Sequence, residues 1–133
     1  MNKTLTVFAA SVLLVAVAHA NPDVVVIGNP AAATLTKDQI AALFLGKSQG
    51  MNLLDQPNSS PLKAEFYQKV SGHDLSQVKA TWSRLMFTGK AQPPKELPDA
   101  AAIKKAVAAD PKAVGYISKS EVDASVKVIL SLD

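Results

Sequence analysis

The chain has 133 residues, with 14 Lys and Arg against 11 Asp and Glu, a formal net charge of +3 and no cysteine. The missing cysteines exclude thiol nucleophiles, zinc–thiolate sites, iron–sulfur clusters and a disulfide-stapled scaffold. The charges are interspersed and form no basic stripe with interleaved aromatics, so nucleic acid is not an expected partner.

Met1-Asn2-Lys3 is a basic start, and Leu5 to Val17 is an apolar run broken only by Thr6 and Ser11. Ala18-His19-Ala20 adds a small-x-small cleavage site. Residues 1–20 therefore read as a secretory signal peptide cut after Ala20. The run is short for a bilayer span, so no membrane insertion is expected once the leader is removed. Residues 21–133 are one domain of ordinary size with room for a single core.

Asp23-Val24-Val25-Val26-Ile27-Gly28 is a β-branched run ended by Gly28-Asn29-Pro30, which suits a strand covered on both faces. Thr36-Lys37-Asp38-Gln39 is a capping box. Ile40, Leu43 and Phe44 mark the apolar face of the helix it starts, and Gly46 ends that helix. A short strand is expected over residues 52–56. Pro61 suits the first position of a second helix, which makes Ser60 its N-cap. Leu62, Phe66 and Val70 are its apolar face and Gly72 its stop.

Asp74 and Gln77 repeat the capping box, and Leu75, Val78, Trp82, Leu85 and Met86 line one face of a third helix ending near Gly89. Three prolines within residues 91–98 forbid a helix or a central strand there, leaving an ordered crossing or an exposed loop. A fourth helix is expected over roughly residues 99–109, with Ile103, Ala106 and Val107 inward. Ala113 to Ile117 and Val126 to Leu130 read as final strands. The order β-α-β-α-α-α-β-β favours an α/β domain whose sheet is at least partly parallel and flanked by helices.

Enzyme signatures are missing. Beyond the leader the one histidine is His73, beside Asp74 in a turn between helices, with no placed nucleophile. No catalytic residue, metal ligand set or cofactor is expected. The informative stretch is Leu53 to Leu62, a strand running into Asn58-Ser59-Ser60 ahead of a helix. Two hydroxyls and free backbone N–H groups at a helix N-terminus are the parts of a small-anion site. They are equally the parts of a helix cap, which spacing alone favours, and Pro61 removes one donor. The loop after the first strand, Gly28 to Thr34, is a second candidate, because ligands of open α/β folds bind at strand carboxyl ends. Trp82, Phe87 and Tyr116 are expected in the core rather than as a stacking surface.

Leu35 to Lys47, with Leu-Thr-x-x-Gln-Ile followed by Phe-Leu-Gly-Lys, resembles a segment of the phosphate-binding proteins of bacterial ABC transporters. Leu54 to Phe66 is similar to their serine-bearing loop and helix, and Ile103 to Ile117 to their block ending in Pro-x-Ala-x-Gly-Tyr. The three occur in family order. The resemblance implies an α/β, type II periplasmic-binding fold, a PstS-like single lobe with a mixed sheet flanked by helices, located in the periplasm. It implies a non-enzymatic binder of a small inorganic oxyanion such as phosphate, linked to phosphate ABC transport. The candidate ligand set is Asn58, Ser59, Ser60 and Thr34. Ser59 matches the family's serine, whereas Asp55 stands at its arginine, which disfavours a dianion. Partners expected on this basis are the anion, a transporter or another periplasmic protein, and further copies of the chain completing the cleft. The alternative is a periplasmic protein-interaction module that reuses the lobe without a small ligand.

Overall fold

The computed structural model describes residues 23–132. The expected leader and its cleavage after Ala20 lie outside the described residues. In chain order the elements are β1 (Val24–Gly28), α1 (Lys37–Phe44), β2 (Asn52–Asp55), α2 (Pro61–Ser71), α3 (Leu75–Phe87), β3 (Lys95–Glu96), α4 (Ala100–Ala109), β4 (Ala113–Ser118) and β5 (Lys127–Leu132). The sheet order is β3-β2-β4-β1-β5. β2 runs parallel to β3 and β4, while β1 is antiparallel to β4 and β5, so the sheet is mixed.

Strand alternation sorts the core into two layers. Val24 and Val26 of β1 pack with Phe44, Phe66, Tyr67 and Trp82 on the face covered by α1, α2 and α3. Val25 and Ile27 point the other way and join Ile103 and Val107 of α4. β1 is thus buried on both faces, as its unbroken β-branched run requires. Both capping boxes are present. Thr36 and Asp74 accept the N–H groups of Gln39 and Gln77, whose side chains reach back to the cap N–H groups.

Three expectations need correction. Lys95 and Glu96, within the proline-rich segment, form a short edge strand on β2, a place where prolines on either side remove no central ladder bond. Met86 and Phe87 are 56% and 94% exposed, although helical spacing put Met86 on the core face and Phe87 was expected inside. They lie in the last turn of α3, beyond Trp82 and Leu85, the last side chains of that helix to reach the core.

Candidate functional site

The parallel pairing of β2 with β4 directs the carboxyl ends of both strands to the same end of the sheet. Leu54 belongs to the layer under α4, and alternation turns Asp55 towards α2. Asp55 is buried, and so are Gln56 and Lys63, the other polar residues of the interior. Burial of a carboxylate demands partners, and three hydrogen-bond donors and one ammonium converge on it. The Tyr67 hydroxyl donates to Oδ2 at 2.7 Å. The Tyr116 hydroxyl and the Gln56 N–H donate to Oδ1, the latter at 2.8 Å. The Lys63 ammonium lies 3.8 Å from Oδ2 and 3.2 Å from Glu96 on the edge strand. Burial, reinforced by the Asp55 charge, pushes both tyrosine hydroxyls well above their ordinary range, so they remain donors.

The serine loop leaves β2 directly above this cluster. The Ser60 N–H donates to the Pro57 carbonyl at 2.9 Å, closing a turn over the exposed Asn58 and Ser59. Ser60 holds the N-cap position of α2 but makes no side-chain cap bond. Its hydroxyl donates instead to Gln56 Oε1 at 2.6 Å, and Gln56 Nε2 donates to the Tyr116 carbonyl at 2.9 Å. The expected hydroxyl cap is therefore corrected: the buried Gln56 amide takes that hydroxyl. The Lys63 N–H is also engaged, by the Ser60 carbonyl at 3.1 Å.

A cleft of about 400 Å³ opens beside the cluster, between α2, α3 and the proline-rich segment. Asp55, Lys63, Tyr67 and Glu96 form its polar end, and Leu75, Val78, Trp82, Pro93 and Pro94 its apolar walls. Asn58, Ser76 and Lys79 also line it. Lys79 is exposed and enters no ion pair among the described residues. A larger cleft of about 550 Å³ lies on the other side of Pro93 and Pro94 and contains no buried charged group. On its wall the Asn52 amide, together with the Lys112 N–H, holds the Asp110 carboxyl below its ordinary range.

Of the sequence candidates, Asn58 lines the smaller cleft, Ser59 is exposed on the same turn, and Ser60 faces inward. Thr34 is not brought to them. Gly28 and Leu53 are both in register with Val114, but β1 and β2 run in opposite directions from there. The loop bearing Thr34 thus leaves the sheet at the far end. Lys63, Tyr67, Ser76 and Lys79 went unrecognised as site residues. Lys63 and Tyr67 share helical spacing on α2, as Ser76 and Lys79 do on α3, but the meeting of the two pairs at one cleft depends on how the helices pack and on no spacing in the chain.

His73 forms no dyad, since the Asp74 carboxylate caps α3. Its Nδ1 is buried with no hydrogen-bond partner among the described residues. Among those residues no group of three or more His, Cys, Asp or Glu could hold a metal ion. No described helix is long and apolar enough to cross a membrane.

The fold is shared with part of several solved proteins. An ABC-type phosphate transport receptor from Vibrio cholerae matches with a TM-score of 0.63 and 21% identity, over 81% of this chain and 45% of that one. The fold is that of a partial PstS-like lobe. A Clostridium perfringens protein solved with bound phosphate gives a TM-score of 0.64 at 21% identity, over 81% of this chain and 44% of that one. PstS from Borrelia burgdorferi gives 0.54 at 12% identity, over 81% and 46%. The chain spans less than half the length of each of these three proteins. The sequence matches no protein-family model and no curated protein. The expected α/β lobe with a mixed, helix-flanked sheet is the fold observed, and it is shared with part of each of these three proteins.

Proposed function

We propose that this chain is an exported, periplasmic, non-enzymatic solute-binding lobe that takes a small oxyanion such as phosphate at the mouth of the smaller cleft. The observation that carries the reading is the convergence there of Asn58, from the loop after β2, with Ser76 and Lys79 of α3, Lys79 entering no ion pair among the described residues. An ammonium, an amide and a hydroxyl suit an oxyanion. Similarity of fold to phosphate receptors supports the same ligand class. A ligand held by one lobe keeps part of its hydration, so binding is weak and exchange fast. Linkage to phosphate ABC transport belongs to this proposal. Calorimetric titration of residues 21–133 with phosphate tests it. Measurable heat that Lys79→Ala and Asn58→Ala both reduce is the expected result. No heat up to millimolar phosphate from the folded protein overturns it.

One observation favours a second reading, a protein-interaction module. Phe87 and Met86 stand exposed at the end of α3, on a lobe less than half the length of the receptors it resembles. A transporter, another periplasmic protein or a second copy would cover them. Phe87→Ser should then abolish a complex that Lys79→Ala leaves intact, as read by cross-linking in periplasm. Equal yields of complex from both variants would count against it.

A further inference from the structure

We propose that Asp55 is a tethered anion whose carboxylate fills a buried donor pocket built by Tyr67, Tyr116, Gln56 and Lys63. In the intact protein it bars free oxyanions from the inner end of the cleft, and once removed it leaves a site for a free planar carboxylate. The inference concerns the inner end and holds whether or not phosphate binds at the mouth.

The pocket has the features of a built anion site. Both tyrosine rings are fully buried, and Phe66 stacks on Tyr116 with centroids 3.9 Å apart and planes 5° from parallel. The hydroxyls are therefore held in place by packing and not merely by the carboxylate. The Gln56 backbone N–H has a second acceptor in the Tyr116 hydroxyl oxygen at 3.2 Å, and the Gln56 side-chain amide is held from both sides by the Tyr116 carbonyl and the Ser60 hydroxyl. Lys63 is anchored on Glu96. Each donor is thus positioned by a contact other than Asp55. Preorganised donors around a buried carboxylate are the geometry that holds a free anion.

Size and shape set the ligand class. Truncating Asp55 to alanine removes three heavy atoms, a carbon and two oxygens in a plane, which is the composition of formate. Tetrahedral phosphate and sulfate are larger and cannot lie in that plane. The same geometry states the selectivity of the intact protein. With the tyrosine hydroxyls and the Gln56 N–H engaged and a negative charge in place, a second anion near them meets repulsion.

The test compares sodium formate, sodium sulfate and sodium chloride at matched ionic strength on Asp55→Ala and on the unaltered protein, by thermal melting. Formate should raise the midpoint of Asp55→Ala by about 5 °C or more above chloride at a concentration tenfold over its dissociation constant. Sulfate should not exceed its effect on the unaltered protein, and formate should leave that protein at its chloride value. Asp55→Asn, which keeps the volume filled, should show no formate response. Formate raising Asp55→Ala no more than chloride overturns the proposal, as does an equal rise in the unaltered protein. If Asp55→Ala is unfolded in chloride, recovery of its circular dichroism in formate replaces the midpoint; failure to recover overturns the proposal equally.

Discussion

The Trp82 indole N–H donates to the Phe44 carbonyl at 2.9 Å, bonding the last residue of α1 to the middle of α3. That carbonyl lies in the final turn of its helix and has no partner within it. Trp82→Phe removes the donor and part of a buried ring at once. The expected cost is roughly 1–3 kcal/mol, from an unsatisfied acceptor and a residual void. Urea unfolding followed by far-ultraviolet circular dichroism measures it. A change below about 0.5 kcal/mol would mean that water readily replaces the indole.

Gly115 is required by close packing. A Cβ there would lie 2.7 Å from Ile103 Cγ2 on α4 and 3.4 Å from the Leu54 Cβ. Gly115→Ala should push α4 off the sheet and cost roughly 1–3 kcal/mol, as overpacking does. Combining it with Ile103→Ala should cost less than the sum of the two changes, because the second opens the space the first needs. Strict additivity in chemical denaturation would refute the contact as the cause.

Stability should fall on the alkaline side through Tyr67 and Tyr116. Burial first, and the Asp55 charge second, raise both hydroxyls above the ordinary value of 10.0. Below pH 10 the folded and unfolded chains both keep these protons and stability is complete. Above it the unfolded chain releases them and the folded one does not. Unfolding then gains about 1.4 kcal/mol per pH unit for each tyrosine. Tyr67→Phe should flatten the decline between about pH 10 and about pH 11 by one tyrosine's share. Comparing urea midpoints of the variant and the parent cancels the titration of the lysines. An unchanged slope would show that Tyr67 ionises in the folded state.

What the sequence discloses follows the range of each interaction. The capping boxes at Thr36 and Asp74 are three-residue patterns that nothing distant overrides, and both formed as read. The double burial of β1 was legible because Val24 to Ile27 leaves no polar face. Ser60 carried a correct position and a misleading bond: its hydroxyl answers Gln56, whose amide is committed to Tyr116, 60 residues away. Asp55 looked like a charge placed against an anion. Its role as the hub of Tyr67, Tyr116 and Lys63 needs α2 and β4 in place, and no local spacing encodes that. Thr34 is parted from Asn58, Ser59 and Ser60 for a topological reason, because the antiparallel pairing of β1 with β4 points its loop the other way.

Ser60 also provides a decisive comparison with a true cap. Thr36 accepts the Gln39 N–H at 3.2 Å, so Thr36→Ala should cost about 1 kcal/mol through loss of helix α1 capping. Ser60→Ala should cost a similar amount, roughly 0.5–1.5 kcal/mol, by a different route: it strips Gln56 Oε1 of its donor. The two routes separate in a double-mutant cycle with Gln56→Leu. If the hydroxyl acts through Gln56, Ser60→Ala should become nearly silent once Gln56 is apolar, with a coupling of about the whole single-mutant cost. If the hydroxyl instead caps α2, its removal should cost the same with or without the Gln56 amide. Thr36→Ala is the control, expected to be additive with Gln56→Leu, since α1 begins far from the buried amide in the chain. Urea unfolding of the single and double variants decides between the two.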